Sequence, residues 1–272
     1  MKTPAATEGR VEAAFARRAA RADALRASCR VASEPLRFAA ELYRAQADLA
    51  AMVATAHARL PLCGRLERDI PGIAHDFAPL QRLAVESGPP ALAAEARAHA
   101  DETPSQTLSR LRAFWGAARQ STESHYLSRA LLRPYVEVLR SVGIAPDRAH
   151  RPGQCPFCGG PPWIAARRSE ADAAGAKRLL GCALCGEEWA FARIRCPSCT
   201  EEDPTKLPTF QSETRPGVRI EACETCRRYL KSIDLTIDAR ALPEVDDLAS
   251  LEMDLWAQEQ GWARVEPGLA GC

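Results

Sequence analysis

The residues best placed to do chemistry are eight of the eleven cysteines, which form four Cys-x-x-Cys pairs: Cys155/Cys158, Cys182/Cys185, Cys196/Cys199 and Cys223/Cys226. Twenty-three residues separate the first pair from the second, ten the second from the third, and twenty-three the third from the fourth. Each cysteine of the first two pairs therefore recurs 41 positions later. A two-residue gap lets one tight turn present two thiolates to a single ion, and two such knuckles supply four soft ligands in tetrahedral geometry. Eight thiols match two sites of this kind. A closed four-thiolate shell leaves no position for water, so the expected role is structural. Zinc and iron both suit such a site, and the residues do not choose between them.

Three groupings keep every pair intact. The repeat favours the sequential one, with Cys155, Cys158, Cys182 and Cys185 in one site and Cys196, Cys199, Cys223 and Cys226 in the other. Interleaved groupings need longer crossings and break the equivalence of the copies. Cys-Pro-x-Cys occurs at 155 and again at 196, and Arg178-Leu179 before Cys182 answers Arg219-Ile220 before Cys223, which points to an internal duplication. The copies differ where it matters for backbone geometry. Gly159 and Gly186 follow the first two knuckles, where a positive φ is often needed, whereas Thr200 and Arg227 take those places in the second copy. Arg195, Arg227, Arg228 and Lys231 are available to offset the charge of four thiolates. Thiols two residues apart can also oxidise to disulfides when metal is lost. Cys29, Cys63 and Cys272 have no partner in sequence and read as buried or incidental.

Elsewhere the chain offers little for catalysis. Its five histidines are scattered, and His150 reads as a linker residue in solvent. Gly159-Gly160-Pro161-Pro162 reads as a turn, not a phosphate-cradling loop. The acidic run Asp234, Asp238, Glu244, Asp246, Asp247, Glu252 and Asp254 reads as a solvated helix face, or one turned to a basic partner.

The elements that must position the knuckles divide into two textures. Residues 1–148 are rich in Ala, Leu and Arg with apolar spacing near 3.6, which predicts helices at roughly 8–29, 35–60, 76–87, 90–101, 105–120 and 122–142. Ser33 and Pro35 suit the start of the second, and Pro134 should kink or divide the last. Pro146, Pro152 and two glycines mark a boundary near 143–153. Short apolar runs then predict strands at 163–165, 178–180, 189–194 and 218–220. A final helix is expected over 246–260, with Asp246 and Asp247 at its N-terminus, Leu248, Leu251, Leu255 and Glu259 on one face, and Gly261 to stop it. The expected architecture is α+β: a helical domain over 1–148, rubredoxin-like or zinc-ribbon-like metal modules over 149–190 and 191–242, and a C-terminal helix and tail over 243–272.

A net charge of +1 gives no global electrostatic case for nucleic acid or an anionic membrane. No apolar run approaches the length needed to span a bilayer. The Arg- and Ala-rich opening reads as an ordinary first helix, with no secretory signal. Clustered cysteine pairs in a chain of this size point to metal in a reducing cytoplasm rather than to disulfides.

These motifs together resemble the FdhE family of accessory proteins for formate dehydrogenase maturation. The resemblance rests on CPFCGGPP (155–162), CALCGEEW (182–189), RCPSC (195–199), ACETCRRYLK (222–231) and DDLASLEMDLWAQEQGWAR (246–264), with shorter likenesses at FARRAARADALR (15–26) and PLRFAAELYRAQ (35–46). The chain departs from the family pattern at Arg227, where glycine is frequent, and in a tail without the usual Asn-Pro. The resemblance implies a helical domain followed by two rubredoxin-like modules, in a cytoplasmic, non-catalytic protein. It implies binding to the catalytic subunit of a respiratory formate dehydrogenase before export, iron as the metal, and self-association through the rubredoxin-like part, hence a possible homodimer. Two other classes fit the knuckles alone: a rubredoxin-like one-electron carrier or redox sensor, and a nucleic-acid-binding zinc ribbon, against which the near-neutral charge weighs.

Overall fold

In a computed structural model the chain is described over residues 5–117, 122–169 and 176–269. It divides into two compact units, one of residues 1–20 and 38–149, the other of residues 21–37 and 150–272.

The first unit is helical. The helices are α1 (Ala5–Arg26), α2 (Ser33–Arg59), α3 (Leu66–Asp69), α4 (Ala78–Ser87), α5 (Pro90–Ala98), α6 (Pro104–Gly116) and α7 (Thr122–Val142). Phe15, Tyr43, Val53, Ile70, Phe77, Leu111, Leu131, Tyr135 and Leu139 are buried in its core. Thr103 caps α6 in a reciprocal capping box with Gln106, and Pro104 occupies the first turn. α6 ends at Gly116, with Ala117 extended (ψ 133°), short of the expected residue 120; residues 118–121 lie outside the described residues. Inside α7 the non-helical backbone falls at His125 (φ −142°), not at Pro134 as expected.

One buried carboxylate organises the turn before α3. Asp69 accepts hydrogen bonds from the backbone N–H groups of Cys63 (3.1 Å) and Gly64 (2.8 Å) and from the Tyr135 hydroxyl (2.7 Å). Burial and the adjacent Asp69 push the Tyr135 hydroxyl far above its ordinary pKa, so it stays a donor. Gly64 has φ +80°, and a Cβ there would lie 2.5 Å from the Ala145 carbonyl oxygen, so only glycine fits.

The second unit carries the sheet. Its strands are β1 (Pro162–Ser169), β2 (Ala176–Cys182), β3 (Glu188–Ala190), β4 (Thr209–Ser212), β5 (Arg215–Cys223), β6 (Arg228–Asp234) and β7 (Ala263–Arg264). They form one sheet in the order β3-β2-β1-β6-β5-β4, with β7 pairing beside β6. Shifting β2 by 41 residues places it inside β5, and shifting β3 places it inside β6, so the repeat of the sequence is a repeat of strands. The two copies share this one sheet. A parallel pairing of β1 with β6, from Ile164 opposite Lys231 to Arg167 opposite Asp234, joins them edge to edge.

Residues 239–269 close one face of the sheet through α8 (Pro243–Asp246), a 3₁₀ turn at Leu248–Ser250 and α9 (Leu251–Glu259). Expectation and structure differ here. The single helix predicted over 246–260 is three short pieces, Leu255 is exposed, and the inward residues of α9 are Met253, Asp254 and Ala257. Phe210, Trp256 and Trp262 stack with centroids 5.0 to 5.9 Å apart over this end of the sheet.

The acidic run is not a solvated face. Asp234, Asp246, Asp247 and Asp254 are all buried, and the last two share a closed network with Lys231 and Arg264. Lys231 Nζ, wholly buried, donates to Asp254 Oδ2 (2.5 Å) and to the carbonyl oxygen of Asp247 (2.7 Å), and lies 3.0 Å from Asp247 Oδ1. Arg264 donates to Asp247 Oδ1 (2.5 Å), Asp254 Oδ1 (3.2 Å) and the carbonyl oxygen of Trp163 (3.2 Å), while the Tyr229 hydroxyl donates to Asp254 Oδ1 (2.8 Å). Asp246 takes a forked contact from Arg21, and Cys29 accepts from Arg215, which ties residues 21–37 to this unit.

Candidate metal centres

Each knuckle is a tight turn closed by a backbone hydrogen bond from the residue after its second cysteine to the carbonyl of its first. The bonds run from Gly159 to Cys155 (2.9 Å), Gly186 to Cys182 (3.3 Å), Thr200 to Cys196 (3.0 Å) and Arg227 to Cys223 (2.9 Å). That closure needs a left-handed residue at the donor position, and all four have it: φ is +65° at Gly159, Gly186 and Thr200, and +54° at Arg227. The first copy meets the demand with glycine. The second meets it with a β-branched residue and an arginine, at a cost of roughly 1–2 kcal/mol each.

The eight cysteines gather in two groups, Cys155, Cys158, Cys182 and Cys185, and Cys196, Cys199, Cys223 and Cys226, with the sulfurs of each group all within 4.8 Å of one another. This is the sequential grouping. Equivalent sulfurs in the copies make equivalent approaches: Cys155 to Cys185 at 3.6 Å and Cys196 to Cys226 at 3.7 Å, Cys158 to Cys182 at 3.5 Å and Cys199 to Cys223 at 3.6 Å. A tetrahedron with metal–sulfur bonds of about 2.3 Å has sulfur–sulfur edges of about 3.8 Å. The observed spacings are near that value and far from the ~2.05 Å of a disulfide. No disulfide joins any of the eight cysteines.

Backbone N–H groups also turn toward sulfur, from Leu184 (3.3 Å) and Cys185 (3.5 Å) to Cys182 and from Ser198 (3.4 Å) to Cys196. In the first group the neighbouring thiols drive Cys155 far below the usual thiol pKa, while Cys182, chiefly through burial, and Cys185, chiefly through Cys155, are driven far above it. Four buried thiols crowded together do not all ionise without a cation among them. The donor set, spacing and electrostatics therefore fit a divalent or trivalent ion that prefers four thiolates, and either zinc or iron is allowed.

The two centres differ in more than glycine. All four cysteines of the first group are at most 1% exposed, while Cys199 and Cys226 of the second are only half-buried. Gly160 is sealed against the first group, since a Cβ there would lie 2.7 Å from Cys182 Sγ. Its counterpart 41 residues on is Glu201, whose carboxylate accepts from the Thr225 hydroxyl (2.5 Å) and the backbone N–H groups of Glu202 and Asp203 (3.0 Å each). Those bonds, that from Thr225 foremost, hold the Glu201 carboxyl down at about 2. A side chain thus clips the third knuckle to the fourth where the first copy uses close packing.

The cations expected to balance the thiolates have other partners. Lys231 lies in the carboxylate network, Arg195 pairs with Glu202 (3.2 Å), Arg227 with Glu224 (2.6 Å), and Arg228 donates to the carbonyl oxygen of Val265 (3.3 Å). His150 is exposed and 3.2 Å from the carbonyl oxygen of Phe157, not from a sulfur. Cys29 is buried, Cys63 is half-buried beside Asp69, and Cys272 lies outside the described residues. The Lys231–Asp247–Asp254–Arg264 network went unrecognised in the sequence. Its signal was present in the seven-residue spacing of Asp247 and Asp254, which returns two carboxylates to nearly one helical face.

Comparison with known proteins agrees with these features. Residues 154–193 match the FdhE central domain and residues 194–269 the FdhE C-terminal domain. A protein FdhE homolog of Aquifex aeolicus is 38% identical over 117 residues, covering 43% of this chain and 41% of that protein. One from Pseudomonas putida is 33% identical over 160 residues, covering 57% and 46%. The chain thus matches less than half the length of these relatives. The crystal structure of the FdhE protein from Pseudomonas aeruginosa superposes with a TM-score of 0.69 at 25% identity, covering 94% of both chains.

Proposed function

This chain belongs to the FdhE family, and on that premise we propose that it is a non-catalytic accessory protein that binds the catalytic subunit of a respiratory formate dehydrogenase in the cytoplasm, during maturation and before export. The observation that carries this reading is the likeness to an FdhE crystal structure over 94% of the chain, with the two four-cysteine centres inside residues 154–269, which match the FdhE central and C-terminal domains. Cys155, Cys158, Cys182 and Cys185 hold one ion, and Cys196, Cys199, Cys223 and Cys226 the other. Each ion cross-links two knuckles and neutralises thiolates that cannot otherwise coexist, which makes the metal part of the folding energy.

In this reading residues 1–148 form the helical domain, 149–190 and 191–242 the two metal modules, and 243–272 the closing helix and tail. The working partner is a folding client; nucleic acid and membrane insertion play no part, and a homodimer is compatible with the role. Among the described residues no helix is long and apolar enough to cross a membrane. Deleting the gene should abolish formate dehydrogenase activity while leaving the enzyme's transcript intact. Normal activity in the deletion strain would refute the proposal.

A further inference from the structure

Beside the second metal centre lies a cavity of about 130 Å³, bounded in part by Cys196 and Cys223 and lined by six arginines. Four neighbouring strands contribute one each: Arg178 from β2, Arg167 from β1, Arg228 from β6 and Arg219 from β5. Arg193 and Arg195 come from the segment that leads into the third knuckle. Arg167 and Arg178 stand directly opposite one another across the β1–β2 pair. Like charges in that relation destabilise a sheet unless something between them is negative.

The protein's own carboxylates do not fully supply it. Glu221 is taken by Arg178 (2.8 Å), and Glu202 pairs with Arg195 at the surface. Asp234 accepts from the Thr236 N–H (3.1 Å) and hydroxyl (2.6 Å) at one oxygen, and its other oxygen serves both Arg167 (3.5 Å) and Arg219 (3.6 Å), at separations too long for strong hydrogen bonds. The buried Nε–H of Arg219 makes no hydrogen bond, and that of Arg167 has only the distant Asp234 oxygen at 3.5 Å, a state that costs free energy unless a ligand or water relieves it. Three carboxylates thus face six guanidiniums. A metal–thiolate centre nearby would absorb some of the excess, but the two unsatisfied arginines are grouped around Asp234 rather than around a cysteine.

We propose that this pocket is an oxoanion site that takes a dianionic phosphate group, held chiefly by Arg167 and Arg219 with Arg228 and the exposed Arg193 beside them. Planar guanidinium forks arriving from separate strands suit a tetrahedral oxoanion, and the cavity holds one phosphate with a few waters but no nucleoside. The site is independent of the accessory role.

Calorimetric titration of the metal-loaded full chain with inorganic phosphate tests it, against chloride at matched ionic strength. Saturable binding to phosphate is expected, weakened about tenfold in Arg167→Gln and in Arg219→Gln, and about tenfold weaker for acetate. Arg193→Gln, an exposed change that leaves the melting temperature in place, should weaken phosphate binding severalfold; it keeps the test decisive if the other variants fold poorly. A phosphate monoester run in parallel separates sources: binding as tight as phosphate or tighter supports a phosphoryl group on a larger molecule, weaker binding supports the free ion. No saturable binding, equal binding of acetate, or phosphate binding unchanged in all three variants would overturn the assignment.

Discussion

Thr200 and Arg227 hold the left-handed backbone that Gly159 and Gly186 hold in the first copy, and the two substitutions are not equivalent. The Thr200 hydroxyl donates only to the carbonyl oxygen of Cys199. Thr200→Gly should therefore stabilise the second centre by about 1 kcal/mol, the left-handed strain removed less the chain entropy glycine adds. Arg227 has more to lose: it pairs with Glu224, donates to the carbonyl oxygen of Gln260 (2.8 Å) and lies 5.0 Å from the centre of the Trp262 ring. Arg227→Gly should come out near neutral. Thermal melts of the metal-loaded variants check both, and a gain for Arg227→Gly larger than for Thr200→Gly would contradict this account. This asymmetry was legible in the sequence, because the positive-φ position of a knuckle is fixed by its turn. The role of Glu201 was not, since nothing local shows that a side chain replaces the sealed Gly160.

At the scale of elements, the strand that matters most is the one the sequence hid. β6 lies at the middle of the sheet and is buried on both faces, so it shows no alternation of apolar and polar residues. Lys231, Ser232 and Asp234 give it the look of a loop, and the charge of Lys231 is met by partners distant in sequence, Asp247, Ser250 and Asp254. The same long-range pairing explains why the acidic tail read as solvated. Two of its carboxylates, Asp247 and Asp254, belong to a buried network with Lys231 and Arg264, assembled from YLK at 229–231, DDL at 246–248, Asp254 and WAR at 262–264. Lys231→Met should cost about 3–5 kcal/mol, because it strands carboxylates in the core. A loss under about 1 kcal/mol in denaturant melts would place the network outside the folding core. The network also sets a pH dependence. Burial raises the Asp247 carboxyl, but Arg264 and Lys231 outweigh it and hold the group below its ordinary value. The folded state thus binds fewer protons than the unfolded one, and the stabilisation is complete above the unfolded pKa of about 4 and lost as pH falls below it. Wild-type stability should drop between about pH 5 and pH 3 more steeply than that of Asp247→Asn. Both proteins carry the same two cysteine centres, so the difference between them isolates Asp247.

For the whole molecule, a duplicated four-cysteine unit has been fused into one sheet through β1 and β6, so neither centre can loosen without disturbing its neighbour. The order of loss is nonetheless set by exposure and strain. On titration with a chelator the second centre should empty first, followed by the first, in two steps resolved by metal release. A single step, or the reverse order in site-specific cysteine variants, would contradict the contrast between the copies. The two four-cysteine groups and their members were readable from spacing alone, because a knuckle is a local structure. The joined sheet, the buried ion network and the arginine-lined cavity depend on contacts across tens of residues that no short pattern records.

The central claim is that two four-cysteine metal centres form the folding core of an accessory protein, and metal analysis of anaerobically purified full-length chain tests it most directly. The account predicts two ions of iron or zinc per chain, one after Cys→Ser replacement of Cys155, Cys158, Cys182 and Cys185, and a lower melting temperature with each ion lost. Protein that carries no metal, or that keeps its melting temperature with all eight thiols replaced, would contradict it.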